Sequence, residues 1–300
     1  MSARRAAALR LGALAAMGLT AAACVEIASA ENGVQAIRLD PILPSIIAGD
    51  TLRDSLGRVQ RLRGVAFGES GDSIAGAAFE YGYLALGRDT ATNARPALVV
   101  DPTTGLVRAD SLPGVAQARV SARFGNRLQI LDTLAIVRRP TRLERVATTD
   151  SLRMTYLCND ASAELRSGTD STLVTASSAL AVRLTGDSAG GAVAVPSYLV
   201  RYRIVAPATV PSGQSPYGDV RPALYLTNGR VDRPIGHDTT NASGQTATAL
   251  RVVPTLLTSQ NAPSVVRVEA RVFVAGRQVG DSVPFRVFLT RRAPSTGSCP

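Results

Sequence analysis

The stretch LTGDSAGGAVAV, Leu184–Val195, decides between two fold classes. Its residues 186–190 fit the pattern G-x-S-x-G, which in α/β-hydrolases forms a strained strand-to-helix turn that exposes a nucleophilic serine, here Ser188. The same letters are also typical of a tight turn between two β-strands, where glycines supply positive φ angles. The flanking residues separate the two interpretations, because the hydrolase turn requires a helix after the serine.

The residues that follow Ser188 favour the hairpin. They read AGGAVAVPSYLVRYRIV, which alternates like a strand and places Pro196 where the hydrolase turn would need a helix. No HGG-type segment upstream would stabilise an oxyanion, and the single histidine, His237, lies in a polar segment that predicts a turn. We predict that residues 187–191 form a hairpin loop with glycines at positive φ, and that the protein is not an enzyme. A serine hydrolase using Ser188 and His237 is the disfavoured alternative.

The composition also points to strands. Hydrophobic residues make up 45% of the 300 positions, but aromatic residues only 4%, and tryptophan is absent. The 26 Gly and 17 Pro are scattered along the chain and leave few windows for a helix longer than about a dozen residues. An all-β fold with a core of Val, Leu, Ile and Ala is therefore expected.

The N-terminus is typical of an export signal. Three arginines precede an uncharged run, 11–23, that ends in AAAC and is shorter than the roughly 20 apolar residues of a membrane span. It resembles a bacterial lipoprotein signal, which implies cleavage after residue 23, lipidation of Cys24 and attachment to the lipid bilayer. Val25 then favours the outer membrane, since no Asp follows the cysteine. Ordinary secretion with cleavage after Ala30 is the alternative, because Ala28 and Ala30 form an A-x-A site.

Export changes how the other cysteines are interpreted. Cys158 and Cys299 remain once Cys24 carries lipid, and an even number in an oxidising compartment predicts one disulfide. The alternative is two unpaired thiols. Two cysteines and one histidine do not make a zinc ligand set, and the aspartates lack the spacing of a calcium loop. We therefore predict no metal and no other cofactor.

The charge is strongly basic, with a formal net charge of +10, and every basic residue is arginine. A GC-rich genome, whose codon usage favours arginine, explains this composition without any functional role for the arginines. The functional alternative is contact with polyanions such as surface polysaccharide or lipid phosphates. The arginines are dispersed, and no basic run is interleaved with aromatic residues, so nucleic acid is not an expected partner.

The first block of the chain has short alternating segments separated by turns, among them DPTTG at residues 101–105. Phe79, Tyr81 and Tyr83 share one strand face and are expected in the core. The segments AGDTL, AGAAFEYGYL and VVDPTTGLVRADSLPGVAQARVSARFG resemble the bacterial immunoglobulin-like domains of intimin-type surface proteins, with Tyr81 where that family often has Trp. The matching positions are Val100, Asp101, Thr104, Gly105, Val107, Ala109, Gly114, Ala116, Val120 and Ala122.

The second block begins after RRPTRL, whose Pro140 and charges suit a joint between domains. The pattern VRLTGDSAGGAV…YLVRYRIV, followed by DTTNASGQTATALRVV, is similar to invasin-type immunoglobulin-like domains. The resemblances imply two tandem immunoglobulin-like β-sandwiches, with the boundaries 1–23 signal peptide, 24–33 tether, 34–139 first domain, 140–292 second domain and 293–300 tail.

These observations predict a non-catalytic lipoprotein of the bacterial cell envelope. Its role would be adhesion, binding or structural display, with a surface polysaccharide or a protein as partner. An accessory subunit of an envelope assembly, binding its partner by strand addition, is the alternative from another functional class.

Overall fold

Strands and turns account for the regular structure. The computed structural model describes residues 33–40, 43–84, 98–110, 116–125, 128–158, 176–214, 220–227 and 235–293. Within these ranges the chain forms 24 strands and a short 3₁₀ helix, Pro254–Leu256, and no α-helix. The predicted all-β class is confirmed. The signal segment, Cys24 and Cys299 lie outside the described residues.

Nine strands form the N-terminal half: β1 (Ala36–Asp40), β2 (Ser45–Ile47), β3 (Arg63–Phe67), β4 (Ser73–Ile74), β5 (Glu80–Leu84), β6 (Leu98–Val100), β7 (Val107–Ala109), β8 (Ala116–Phe124) and β9 (Leu128–Val137). The antiparallel order β1-β3-β4 makes one sheet, here the β1 sheet, and the order β2-β9-β8-β5 makes a second, the β9 sheet. β6 and β7 pair as a hairpin.

The core of this half is aliphatic. Leu39 comes from the β1 sheet, Ile46 and Ile136 from the β9 sheet, and Leu98 and Val107 from the β6–β7 hairpin, and all are at most 2% exposed. Burying such side chains contributes about 1.5 to 3 kcal/mol each. The three aromatic residues expected in the core pack against this cluster, so that expectation is confirmed: Phe79, Tyr81 and Tyr83.

The predicted DPTTG turn joins β6 to β7. Asp101 Oδ1 accepts hydrogen bonds from the amides of Thr103 (3.0 Å) and Thr104 (2.7 Å). The amide hydrogen bond from Thr104, the largest contribution, holds the pKa of Asp101 below its usual range. Gly105 has φ +66°, and a Cβ there would lie 2.4 Å from the carbonyl oxygen of Leu62. The turn therefore requires glycine at this position.

Fifteen strands form the C-terminal half: β10 (Arg142–Arg145), β11 (Ser151–Leu157), β12 (Leu180–Ser188), β13 (Gly191–Ala194), β14 (Leu199–Ala206), β15 (Ser212–Gln214), β16 (Val220–Pro222), β17 (Leu224–Leu226), β18 (Ile235–Thr239), β19 (Gln245–Thr248), β20 (Leu250–Val252), β21 (Val265–Arg271), β22 (Phe273–Val274), β23 (Arg277–Gln278) and β24 (Val283–Arg292). The β12 sheet contains β10, β12, β13 and β19, and the β14 sheet has the order β11-β24-β21-β14-β18. Three further pairs are β15-β16, β17-β20 and β22-β23.

These two sheets enclose the second core. Leu180 and Leu184 of the β12 sheet and Val268 and Phe285 of the β14 sheet are at most 2% exposed and belong to one cluster. Tyr202 of β14 is also fully buried, and its hydroxyl donates a 3.3 Å hydrogen bond to the carbonyl oxygen of Thr246 in β19. That bond connects the two sheets through the core, and it satisfies a hydroxyl that would otherwise be costly to bury.

One strand plan occurs in both halves. In the N-terminal half, β1 pairs antiparallel with β3, and β2 then pairs parallel with the last strand, β9, in the other sheet. In the C-terminal half, β10 pairs antiparallel with β12, and β11 then pairs parallel with the last strand, β24. The sheet that β2 joins continues through β9, β8 and the middle strand β5. The sheet that β11 joins continues through β24, then β21, which precedes the short β22–β23 pair, and then the middle strand β14.

The stretch 184–195 is a β-hairpin. Asp187 pairs with Ala192 and Ser188 with Gly191, so the loop consists of residues 189–190. The hairpin prediction is confirmed, but its loop bounds were too wide, because residues 187, 188 and 191 already belong to the strands. Gly191 has φ +109°, whereas Gly190 does not have a positive φ, so the expectation of positive φ is confirmed at Gly191 and wrong at Gly190.

Replacement of Gly191 should therefore be costly and replacement of Ser188 should not. We expect Gly191→Val to lower the free energy of unfolding by about 1 to 3 kcal/mol, because a β-branched residue is strained at positive φ. Gly190→Val has open space around its Cβ, and Ser188→Ala loses no core packing, so both should stay within about 0.5 kcal/mol. Urea denaturation of the three variants measures these free energies. Labelling of Ser188 by a fluorophosphonate would separately contradict the interpretation of this stretch as a non-catalytic hairpin.

Candidate functional site

Ser188 and His237 do not form a catalytic pair. Ser188 ends β12 in one sheet and His237 lies in β18 of the other, and within the described ranges no hydrogen bond joins them. The predicted turn at His237 was wrong, since this residue is in a strand opposite Arg201. Burial first, and then the charge of Arg201, lower the pKa of His237. The Asp187 carboxylate accepts a 3.1 Å hydrogen bond from the Thr141 hydroxyl, which links β12 to the chain before β10.

The described part of the chain contains neither a metal-binding cluster nor a membrane-spanning helix. There, no group of three or more His, Cys, Asp or Glu side chains is arranged to hold a metal ion. No helix among these residues is long and apolar enough to cross a bilayer. The site with the most defined geometry is instead the contact between the two halves, which we call the joint.

The joint brings two turns into backbone contact. Gly57 follows β2 in the N-terminal half, and Gly276 connects β22 to β23 in the C-terminal half. A Cβ added to Gly57 would lie 2.4 Å from the amide nitrogen of Gly276, and both glycines have positive φ, +73° and +76°. No larger residue fits at position 57 unless the backbone moves.

An ion pair shapes the loop that carries Gly57. Arg53 Nη2 lies 2.9 Å from Asp50 Oδ1, and Arg53 Nη1 donates a 3.0 Å hydrogen bond to the carbonyl oxygen of Gly57. The side chains of Asp50 and Arg53 are only 13% and 22% exposed. Burial alone would raise the pKa of Asp50, but hydrogen bonds from Arg53 and Thr51 outweigh it and lower that pKa. Asp50 is therefore ionised and fixes the loop.

Tyr198 forms the C-terminal side of the joint. Together with Phe273 it lines a cleft whose opposite wall includes Ile47, Thr51 and Arg53. Its hydroxyl donates a 2.9 Å hydrogen bond to the carbonyl oxygen of Phe273. Burial, and then the charge of Asp50, raise the pKa of Tyr198, so the hydroxyl remains a donor at physiological pH.

The two cores are continuous through the joint. Ile47, Ala135 and Val137 are in strands of the N-terminal half but belong to the buried cluster of the C-terminal half. Thr141 donates an amide hydrogen bond of 2.9 Å to the carbonyl oxygen of Thr185, and a Cβ on Gly186 would lie 2.5 Å from the carbonyl oxygen of Arg139. The segment around Pro140 connects β9 to β10.

The sequence identified only part of this site. Asp50 lies in the Gly-Asp-Thr motif of the resemblance, but its pairing with Arg53 was not predicted. The contact of Gly57 with Gly276 and the position of Tyr198 were missed, because no local pattern in the sequence distinguishes these residues from those of other turns and strands.

Of the predicted cysteine sites, Cys158 is the one within the described residues. It follows β11, is 1% exposed, and its amide donates a 3.1 Å hydrogen bond to the carbonyl oxygen of Arg292. Arg292 ends β24, and the segment after it leads to Cys299. Cys158 therefore lies beside the origin of the C-terminal tail.

Comparison with known proteins gives weak likenesses only. No family model and no curated protein matches the chain. Among solved structures, the Yersinia pseudotuberculosis adhesin InvE has 12% identity, covering 85% of this chain and 58% of that one, with a TM-score of 0.30. The D00-D0 domain of intimin has 13% identity, coverages of 85% and 100%, and a TM-score of 0.25. Human protocadherin-24 EC1-2 has 13% identity, coverages of 86% and 99%, and a TM-score of 0.24.

The chain spans 58% of the InvE structure. At these TM-scores the likenesses carry no argument about fold or function. Any functional assignment therefore depends on the strands and contacts of this chain itself.

The backbone contact in the joint makes Gly57 a sensitive position. We expect Gly57→Ala to lose about 1 kcal/mol or more from positive φ, and a further 1 to 3 kcal/mol from the clash with Gly276. Gly71→Ala is the matched control, because Gly71 has φ +81° but nothing within 4 Å of an added Cβ. Thermal unfolding of both variants measures the difference. Equal losses would mean that the close contact between Gly57 and Gly276 contributes nothing to stability.

Proposed function

We propose that this protein is a non-catalytic lipoprotein of the bacterial cell envelope, in which two tandem immunoglobulin-like sandwiches present a binding surface. The observation that carries the proposal is the strand plan repeated in the two halves. One sheet of an immunoglobulin-type sandwich joins the last strand, the strand before it and a middle strand. The β9 sheet has that order, and the β14 sheet has it once the short β22–β23 pair between β21 and β24 is set aside.

The proposed domains are residues 34–139 and 140–292. Each range has a buried cluster dominated by its own strands, and Pro140 is the first residue of the second range. The backbone contact between Gly57 and Gly276 supports a fixed angle between the domains. A fixed angle suits display, because it preorganises the surface that a partner meets and lowers the entropic cost of binding.

The proposed anchor is Cys24, after removal of residues 1–23. Residues 24–33 would then form the tether between the lipid and the first domain. Several acyl chains on one residue give stable attachment, whereas a single chain binds membranes only marginally. The partner in this part of the proposal is the lipid bilayer of the outer membrane.

Replacement of Cys24 tests the anchor. We expect Cys24→Ser to move the protein from the carbonate-washed membrane fraction to the soluble fraction, because the acylated thiol is lost. Ala30→Glu is the matched control, since it blocks ordinary cleavage after residue 30 but leaves cleavage before residue 24 intact. A Cys24→Ser protein that stays in washed membranes, or an Ala30→Glu protein that accumulates uncleaved, would contradict the lipoprotein assignment.

We also propose a disulfide between Cys158 and Cys299. The support is the even number of cysteines left after lipidation, together with the position of Cys158 beside the end of β24. The bond would connect the C-terminal tail to the start of the second domain. In the chain-entropy model, closing a loop of this length stabilises the protein by about 4 to 5 kcal/mol.

Thiol counting tests the disulfide. The full chain, denatured without reductant, should show no free thiol at positions 158 and 299, and two after reduction. Mass spectrometry of unreduced peptides should recover the two cysteines in one species. Two free thiols before reduction would overturn the pairing.

A further inference from the structure

The outward face of the β14 sheet is rich in arginine. Alternate residues of its strands point away from the core, and the exposed or half-buried arginines on this side, here called the arginine face, are Arg153, Arg201, Arg203, Arg267, Arg271 and Arg286. Strand register places two pairs of them side by side, since Arg201 is opposite Arg271 and Arg267 is opposite Arg286, whereas Arg203 is opposite Glu269. Adjacent strands are about 4.8 Å apart, so these like charges are close neighbours.

Acidic residues neutralise only part of the arginine face. Arg271 pairs with Glu269, and Arg286 pairs with Asp150 at 2.8 Å. The remaining arginines, namely Arg153, Arg201, Arg203 and Arg267, make no direct ion pair within the described ranges. Like charges directly opposite one another in a sheet are destabilising. One arginine of each opposed pair is neutralised by an acidic residue, but the face as a whole still carries more positive than negative charge, which a bound anion would compensate.

Arg201 is the most constrained member of the arginine face. It is half-buried between Arg271 on one side and His237 on the other. Its Nε is buried and has no hydrogen-bond partner in the described structure. A buried, unsatisfied donor is uncommon in folded proteins. Here it belongs to a guanidinium, a group that donates paired hydrogen bonds to carboxylates.

An exposed aromatic ring lies on the same face. Phe288 is 38% exposed and lies opposite Arg153 in the paired strands β11 and β24. An apolar ring beside guanidinium groups offers contact to the C–H faces of sugar rings and bidentate hydrogen bonds to their carboxylates. A single ring does not provide the row of stacking positions that single-stranded nucleic acid requires.

We propose that the arginine face binds an acidic polysaccharide through its carboxylates, with Arg203 and Arg267 as principal contacts and Phe288 beneath a sugar ring. The inference rests on the proposed function, because it names the ligand class of that binding module. Charge complementarity and an extended, open sheet surface support a linear polyanion. Anionic lipid surfaces and DNA are the competing ligand classes, and the test below distinguishes binding to them from binding to a polysaccharide.

Binding to polygalacturonate tests the proposal, using the full chain purified in detergent. We expect Arg203→Gln/Arg267→Gln to weaken binding about tenfold and to lower the slope of log Kd against log salt by about two, since two charged contacts are lost. Phe288→Ser should weaken binding without changing that slope. The matched control is Arg108→Gln/Arg183→Gln, which removes the same charge from exposed arginines outside this face and should stay within about twofold of the unsubstituted protein.

Three results would overturn the proposal: no binding of polygalacturonate by the unsubstituted protein, equal losses in the two double variants, or tighter binding of phosphatidylglycerol vesicles or duplex DNA that the arginine-face variant abolishes. None of them affects membrane fractionation of the Cys24 variant. Failure of this inference is therefore distinguishable from failure of the proposed anchor.

Discussion

Each half of the molecule depends on a first segment that leaves one sheet and joins the other. β1 and β10 pair antiparallel within the first sheet of their half, and β2 and β11 then pair parallel with the final strands β9 and β24. Parallel pairing requires a long connection, which here is the rest of the half. The sheets cannot separate without breaking one of these ladders, so the crossing segment closes the core between them.

The features that the sequence predicted are local ones. Alternation located the strands, and the turn at residues 101–105 and the hairpin after Ser188 both follow from short patterns with glycine. The strand that contains His237 was missed for a physical reason. Gly236 fills the buried position opposite Tyr202, so no apolar side chain reveals the inward face of β18. The strand β18 therefore lacks the alternation of apolar residues that would have identified it in the sequence.

The joint could not be predicted, because its residues are distant in the sequence. Gly57 and Gly276 each look like an ordinary turn glycine, and only the folded chain shows that they meet. Asp50 and Arg53 are close in the sequence, but the same two residues at a solvent-exposed turn would contribute little to stability. Burial between the halves is what makes that pair rigid, and burial depends on strand pairing that the sequence does not reveal.

The joint also brings charges of the N-terminal half near one member of the arginine face. Arg201 is near charges from both halves: burial, then Arg203 and Arg271, lower its pKa, Arg58 of the N-terminal loop adds to this, and Asp54 of the same loop opposes it. Arg201 stays protonated at neutral pH because an arginine starts from a very high pKa. Since the loop is held by backbone contact at Gly57, its charges keep a fixed position beside β14. Arg58 and Asp54 also pair with each other at 3.0 Å, so the N-terminal half places two opposite charges beside one end of the binding surface proposed for the C-terminal half.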